Sequence, residues 1–485
     1  MKFTTLTDEA RIALGGLVDY AQDVVNPTIR LGVTGLSRAG KTVFITALVH
    51  NLLHGGKLPL FVPFASGRVK RVYLQPQPDD DIPRFAYERH LDALTAGDDR
   101  HWPESTSQIS QLRLTVEYES DSLISRTLSS GTLNIDIVDY PGEWLLDLAL
   151  LDMDYAEWSS RTLSAARTEP RDKVSAEWLN HLASIDPQSP AVEPVAQRSA
   201  ELFTNYLRAC RDDEFAQSTL PPGRFLMPGD LENSPLLTFS PLELKEGERA
   251  SSGSLFQMME RRYNSYVAKV VKPFYLDHFS RLDRQIVLVD LLSALNAGPQ
   301  AVDDIRNALS DILSSFRPGQ TSWLNAILGK KIDRILFAAT KADQLHHTSH
   351  DRLEAILKQV VAEALQRTEH SGARHEVVAL ASIRATREHV LKQGGEALPS
   401  IAGIPKQGEK IGKKTYNGTE EIALFPGDLP DNPRDALRAE GDPVETVFLR
   451  FRPPVLKDPV AIDGGSFPHI RLDKALNFLL GDRIA

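Results

Sequence analysis

Cysteine and long apolar runs are nearly absent from this sequence. Its 485 residues include one cysteine, Cys210, which excludes an intramolecular disulfide framework and a zinc site built from several thiolates. No stretch approaches the roughly 18 uninterrupted apolar residues of a transmembrane helix, and the first residues lack the basic flank and apolar run of a signal peptide. We therefore expect a cytoplasmic protein that neither spans a membrane nor is exported by that route.

Clustered positive charge is also missing. The chain carries 55 Lys and Arg against 65 Asp and Glu, which gives a formal net charge of −10, and it has no dense stripe of basic residues. Nucleic-acid binding depends on clustered cations that neutralise phosphates, so nucleic acid is excluded as the main partner. Low-complexity tracts and fixed-period repeats are absent as well, and a chain of this length is expected to fold as two or three packed units.

The pattern of apolar residues predicts an α/β fold. Short runs rich in β-branched residues alternate with stretches of helical periodicity, as in a sheet whose strands are largely parallel. Strands are predicted at 28–33, 111–120, 132–144, 284–291, 333–340 and 375–382, with the second and third forming a hairpin. Helices are predicted at 41–53, 85–95, after the 284–291 strand to about 315, and at 351–366. Two short strands are expected further on, at 420–425 and 444–451.

A glycine-rich loop lies between the first predicted strand and its helix. Residues 35–42, GLSRAGKT, match G-x-x-x-x-G-K-(S/T), a phosphate-binding P-loop. The glycines let backbone amides and the helix N-terminus face a β-phosphate, while Lys41 reaches the β and γ oxygens and Thr42 holds magnesium. The residues predicted to bind nucleotide here are Gly35, Ser37, Arg38, Ala39, Gly40, Lys41, Thr42 and Val43.

A second motif, D-x-x-G, ends the strand that begins at residue 132. Asp139 is predicted to hold magnesium through a bound water, and the amide of Gly142 to sense the γ-phosphate. Glu143 follows, where Ras-like proteins commonly carry a water-orienting glutamine, so we expect slow hydrolysis unless another group assists. Thr106, in WPESTSQIS, is the predicted γ-phosphate-sensing threonine and magnesium ligand, with Ser105 and Ser107 as alternatives.

A third motif follows the strand at 333–340. Residues 340–343, TKAD, fit (N/T)-K-x-D, in which the aspartate accepts hydrogen bonds from guanine N1–H and the exocyclic amine. Adenine cannot donate in that arrangement, so GTP and GDP are the predicted nucleotides. Thr340, Lys341 and Asp343 are the predicted base-binding residues, together with the backbone of Ser382 and Ile383.

The source of a positive charge for catalysis is open in the sequence. Arg38 within the loop, and Arg68 or Arg84 ahead of Thr106, are alternatives. A second copy of the chain supplying an arginine in trans is another. A basic stretch, formed by Lys406, Lys410, Lys413 and Lys414, is either a solvated hairpin or a contact for an acidic partner or anionic lipid.

With the GLSRAGKT loop, the IVDYPGEWLLDL segment and the FAATKAD strand in order, the chain resembles the YcjX family of bacterial stress-associated P-loop proteins. Members are often labelled ATPases, but TKAD resembles the guanine-specificity motif of TRAFAC-type GTPases. The resemblance implies a G-domain with a helical insertion and a C-terminal unit, a cytoplasmic location and a link to heat or envelope stress. Lys41, Thr42, Asp139, Thr340, Lys341 and Asp343 carry over by position.

The predicted organisation has four parts. Residues 1–26 are an N-terminal helix, 27–144 and 280–399 a split P-loop GTPase domain, 145–279 a helical insertion, and 400–485 a β-rich unit with a terminal helix. The predicted function is a slow GTPase acting as a stress-linked switch, with magnesium as cofactor and an unidentified protein effector, for which association with a membrane is one alternative. An ATP-dependent ATPase and a non-enzymatic scaffold with structural nucleotide are the alternatives.

Overall fold

A seven-stranded mixed sheet forms the centre of the molecule. The computed structural model describes residues 27–35, 39–104, 108–120, 131–211, 217, 220–245, 247–314, 332–362, 373–393, 395–437, 446–456 and 465–484. The strands are β1 Thr28–Gly35, β2 Val69–Gln75, β3 Ser110–Tyr118, β4 Thr132–Asp139, β5 Arg284–Val289, β6 Arg334–Ala339 and β7 Arg374–Ala379. Their order across the sheet is β2-β3-β4-β1-β5-β6-β7. The predicted N-terminal helix at 1–26 lies outside the described residues.

Strand direction changes at one side of the sheet. Strands β4, β1, β5, β6 and β7 run parallel, whereas β3 is antiparallel to β4 and β2 is antiparallel to β3. All six strands predicted for the sheet are confirmed, and the α/β class with them. Strand β2 was not predicted, because it is a half-exposed edge strand that carries Lys70 and Arg71 instead of a continuous apolar pattern.

Helices cover both faces of the sheet. They are α1 Lys41–Leu53, α2 Val62–Ala65, α3 Tyr87–Thr95, α4 Glu143–Leu146, α5 Tyr155–Ala166, α6 Asp172–Ala183, α7 Glu193–Cys210, α8 Gly223–Leu226, α9 Leu255–Tyr266, α10 Lys272–Asp277, α11 Leu291–Ala297, α12 Pro299–Ser314, α13 His350–Val360 and α14 Leu472–Leu480. The helix predicted to run to about 315 is two helices. They are separated at Gly298, whose φ of 106° favours glycine.

The segment between β4 and β5 is largely helical, as predicted, and has an aromatic core of its own. Trp158 stacks on Tyr263 with ring centroids 5.0 Å apart and meets Phe203 edge-on at 5.9 Å. Trp178 stacks on Tyr206 at 4.9 Å. A π-helical turn at Val267–Val271 joins α9 to α10 and leads the chain back toward the sheet. This aromatic core is continuous with the apolar side chains of one sheet face, among them Val287 and Phe337.

The opposite sheet face is covered by α1 and α14. Leu472, Leu476 and Leu480 of α14 are buried against the same cluster as Leu31 of β1 and Leu288 of β5. Beyond β7 the chain forms a three-stranded antiparallel sheet from β8 Arg387–Gln393, β9 Glu396–Gly403 and β12 Ile422–Leu424, and a two-stranded ladder from β10 Lys410–Ile411 and β11 Lys414–Thr415.

The two strands predicted in this later part of the chain have different outcomes. The strand predicted at 420–425 is confirmed as β12. The prediction of a strand at 444–451 is wrong for the described residues, 446–451. There Phe451 forms only an isolated bridge, with Pro405. The predicted division of the chain into four parts, with its boundaries, stays a prediction. Within the described residues, no helix combines the length and apolar character needed to cross a membrane.

Candidate functional site

A cavity of about 490 Å³ opens where the parallel strands end. Its walls come from the start of α1, the loops that follow β5, β6 and β7, the segment before β3, the part of the helical insertion that follows α7, and the chain beyond β9. The carboxyl ends of parallel strands are the usual ligand-binding edge of an open α/β sheet. Parts of the chain that are distant in sequence therefore meet around one space of ligand size.

The glycine-rich loop forms one end of this cavity. Gly40 precedes α1 with a left-handed φ of 86°, and α1 begins without a side-chain cap. A Cβ at Gly35 would lie 2.9 Å from the carbonyl oxygen of Leu288, so strand packing also requires glycine there. Lys41 Nζ lies 3.5 Å from the Gly35 carbonyl oxygen, and Thr42 Oγ1 donates to the Glu104 carbonyl at 3.4 Å. An uncapped helix start of this kind suits an anion.

Five of the predicted loop residues line the cavity, namely Ala39, Gly40, Lys41, Thr42 and Val43. Ser37 and Arg38 lie outside the described residues, and so does Thr106. Gly35 is placed just behind the cavity, at the end of β1. The roles assigned to these residues stay predictions.

The D-x-x-G segment lies beside the loop and does not line the cavity. Asp139 ends β4, pairs in register with Val33 of β1 and is 1% exposed. Gly142 precedes α4, and Glu143 begins it. Thr42 lies in the first turn of α1, and Asp139 ends β4, the strand beside β1. Both side chains offer oxygen, the ligand type that magnesium prefers, so this pair fits that ion. Glu143 itself is buried and forms an ion pair with Arg211.

The TKAD segment forms the other end of the cavity. Lys341 has a left-handed φ of 61°, and its ammonium pairs with Asp290 at the end of β5. Asp343 Oδ2 accepts a hydrogen bond from the Ala385 amide at 2.9 Å, and the Thr386 hydroxyl donates to the Asp343 carbonyl. Burial raises the pKa of Asp343 to about 6, with the Ala385 amide opposing the shift. The carboxylate is thus held rigidly at the cavity wall.

The segment after β7 completes that wall. Ser382 and Ile383 line the same cavity as Asp343. Their predicted contact with the base through the backbone stays a prediction. Ala381 exchanges two backbone hydrogen bonds with Ile470, of 3.1 and 2.8 Å, and the Ala342 amide donates to the Leu380 carbonyl at 3.1 Å. The two loops are therefore tied to each other and to the chain that leads into α14.

Other cavity residues had no signal in the sequence. Among them are Trp102, Glu104, Arg211, Gln217, Arg450 and Phe451. Trp102 Nε1 donates to the Phe451 carbonyl at 2.6 Å, and Arg450 Nε donates to Glu409 Oε1 at 2.6 Å. Because these residues are brought together only by long-range folding, no spacing pattern marks them. Lys406, predicted to belong to a surface basic stretch, also lines the cavity.

Two of the three arginines considered from sequence have other partners, and the third, Arg38, lies outside the described residues. Arg84 forms a bidentate pair with Glu88, both contacts at 2.7 Å, and Arg68 Nη1 donates to the Ile484 carbonyl at 2.9 Å. Neither lines the cavity. The described arginines that do are Arg211 of the insertion and Arg450.

Comparison with known proteins agrees with these motifs. The model of the YcjX-like family, DUF463, matches residues 29–484. The chain is 38% identical over 473 residues to the Ras-like GTPase YcjX of Escherichia coli (strain K12), which covers 95% of this chain and 97% of that protein. The chain belongs to the YcjX-like family. A Ras-like GTPase YcjX of Shewanella oneidensis is 35% identical over 507 residues, covering 98% of this chain and 99% of that protein.

Membership of the YcjX-like family confirms the resemblance expected from the three motifs. The matched region contains all of them, at 35–42, 139–142 and 340–343, and it also contains the whole insertion. The cavity, with its insertion and C-terminal walls, is accordingly built within the part of the chain that the YcjX-like family model describes.

Proposed function

We propose that this protein binds guanine nucleotides with magnesium and hydrolyses GTP slowly to GDP. The observation that carries the proposal is one cavity that has the helix-opening Lys41 and Thr42 at one end and the buried Asp343 at the other. Two relatives named Ras-like GTPase, each aligned over nearly the whole chain, support it. A stress-linked switch in the cytoplasm, acting on a protein effector, extends the same proposal and rests on the resemblance.

The base end favours guanine over adenine. An ionised Asp343 accepts hydrogen bonds only, and guanine offers two donors, N1–H and the exocyclic amine, on one edge. The Ala385 amide fixes the carboxylate, and Lys341 is held by Asp290 with its aliphatic stem available to pack on the base. Leaving a buried acceptor unpaired is costly, which makes adenine a poor substitute.

The phosphate end supports hydrolysis by water attack on the γ-phosphate. Lys41 and the amides of the first turn of α1 would hold the β- and γ-phosphates, and Thr42, Asp139 and Thr106 would hold magnesium. The ion, when bound, neutralises charge on the phosphates. Glu143 occupies the position after Gly142, is buried, and is paired with Arg211, so it does not replace a water-orienting glutamine. Without a glutamine that orients the attacking water, slow turnover is expected.

The test is an equilibrium competition with the full-length protein. Affinities for fluorescent GTP, GDP and ATP in magnesium are measured, each competed by unlabelled nucleotide. We expect a guanine preference of about 100-fold, or about 2.7 kcal/mol. Equal or tighter binding of ATP would contradict the proposal and favour the ATPase alternative. Tight binding without exchange or turnover would favour the scaffold.

Affinity for GDP is expected to weaken as the pH is lowered through about 6. Asp343 has a raised pKa of about 6, so its carboxylate is ionised above that pH and protonated below it. Only the ionised form accepts both guanine donors, and well below the pKa each pH unit costs about tenfold in affinity. Fluorescence titrations from pH 5 to 8 measure this.

The Asp343→Asn protein provides the control for that titration. Nucleotide phosphates titrate identically with both proteins, so only the wild type should show the additional loss near pH 6. The same pH dependence in both proteins would mean that Asp343 does not contact the base.

A further inference from the structure

Arg211 lies at the phosphate side of the cavity. It directly follows α7 of the helical insertion, lines the same cavity as Lys41 and Thr42, and its side chain is 20% exposed. The order of the strands in the sheet shows on which side of the cavity Arg211 lies. Its partner Glu143 follows β4, which neighbours β1 and the glycine-rich loop, whereas the TKAD segment follows β6 on the other side of β5.

The carboxylate of Glu143 holds the guanidinium. Arg211 Nη2 lies 2.8 Å from Glu143 Oε1, and the Glu143 side chain is only 7% exposed. A planar guanidinium carries five N–H donors, more than a single carboxylate can accept, and it suits anions such as phosphate. Glu143 is therefore a positioning residue for Arg211.

Glu143 is itself held by the insertion. Gly223, which begins α8, packs so closely on Glu143 that a Cβ there would overlap the Glu143 carbonyl oxygen. The guanidinium of Arg224 lies 3.2 Å from the centre of the Trp144 ring, and Trp144 Nε1 donates to the Met227 carbonyl at 3.0 Å. The start of α4 therefore contacts two parts of the insertion. One is the segment 223–227, and the other is the end of α7 with Arg211.

We propose that Arg211 supplies, within the same chain, the positive charge that stabilises the γ-phosphate during GTP hydrolysis. The inference rests on the proposed function. Water oxygen forms a bond to the γ-phosphorus, and the bond from that phosphorus to the β,γ-bridging oxygen breaks, with its electrons remaining on the β-phosphate. The water proton passes to the released phosphate. Arg211 stays protonated throughout and acts on charge alone, so that the products are GDP and inorganic phosphate.

Single-turnover hydrolysis of GTP by the full-length chain tests this inference. With Arg211→Ala we expect the hydrolysis rate to fall by roughly 10³-fold. GDP affinity should change by no more than about threefold, because the charge acts on the transition state more than on the bound product. Arg211→Lys keeps a charge without the planar fork and should be intermediate.

Arg208→Ala is the matched control. Arg208 lies on α7 one turn earlier and is exposed, so its loss should leave the hydrolysis rate unchanged. An Arg211→Ala protein that hydrolyses GTP within about twofold of wild type would overturn the inference, whatever the wild-type rate.

A second readout separates a catalytic role from a structural one. GDP with aluminium fluoride mimics the transferring phosphoryl group, and its complex should form with wild type and Arg208→Ala but not with Arg211→Ala. Retained GDP binding shows that the variant is folded. If Arg211→Ala still forms the complex, the inference is wrong.

The role of Glu143 is tested by a double-mutant cycle. Glu143→Gln should lower the rate less than Arg211→Ala, and the double variant should match Arg211→Ala alone, because Glu143 acts through Arg211. Additive losses would contradict a positioning role. A wild-type protein with no GTP hydrolysis would instead contradict the proposed function, and the inference that rests on it would fall at the same time.

Discussion

The Asp343→Asn protein is expected to lose GTP affinity by about 100-fold and to gain binding of xanthosine triphosphate. Asparagine presents an N–H₂ donor in place of one carboxylate oxygen. This donor faces the guanine N1–H and amine, which are donors too, so no hydrogen bond can form between them. Xanthine carries a carbonyl oxygen where guanine carries the amine, so the same amide donor becomes a partner. Competition titrations with GTP and xanthosine triphosphate measure both changes.

The Asp343→Asn substitution keeps the hydrogen bonds that hold residue 343 in place. The remaining side-chain oxygen can still accept from the Ala385 amide, and the Thr386 hydroxyl donates to the backbone carbonyl of residue 343, which is unchanged. Binding of the xanthine nucleotide is therefore its own control for folding. A variant that still prefers GTP over xanthosine triphosphate would rule out Asp343 as the residue that reads the base.

Asp147→Ala is expected to lower the free energy of unfolding by about 3 kcal/mol. Asp147 is 2% exposed, accepts from the Tyr266 hydroxyl at 2.5 Å and from the Gly223 amide at 2.6 Å. Burial raises its pKa to about 7, while those two hydrogen bonds oppose the rise. Alanine leaves a buried hydroxyl and a buried amide without their acceptor. Chemical denaturation followed by tryptophan fluorescence measures the loss.

Two further variants serve as controls for the Asp147→Ala measurement. Asp147→Asn keeps a polar side chain that can accept from the Gly223 amide, so it should lose less stability than alanine. Asp172→Ala removes an exposed carboxylate at the start of α6 and should remain within about 0.5 kcal/mol of wild type. Equal unfolding free energies for Asp147→Ala and Asp172→Ala would mean that the buried acceptor contributes nothing.

The parts of the site that could be predicted from the sequence are the motifs formed by consecutive residues. A P-loop needs its glycines, Lys41 and Thr42 at fixed spacing, because one turn of backbone surrounds the phosphates, and TKAD follows a buried strand for a similar local reason. The sheet strands were recognisable because burial on both faces selects β-branched runs such as RQIVLV in β5.

The remaining parts depend on contacts between distant residues. Arg211 and Glu143 are 68 positions apart by number, and Trp102 meets Phe451 across 349 positions. Neither pair has a spacing that identifies it. Strand β8 has the sequence REHVLKQ, whose charged and polar residues resemble a loop, and it becomes a strand through pairing with β9. Long-range pairing, more than local propensity, determines such elements.

The covering of the sheet by α14 has a consequence for the order in which the protein is made. Arg284 of β5 is fully buried and meets Asp333 at 2.8 Å and Asp482 at 2.9 Å. Asp482 follows α14, which itself follows every strand of the sheet in the chain. A chain that has left the ribosome only as far as β12 already contains all three nucleotide motifs. It still lacks the apolar side chains of α14, which cover part of one sheet face, and the carboxylate of Asp482. The three motifs are therefore made early in synthesis, whereas the last part of the cavity wall and the packing of α14 on the sheet are completed late.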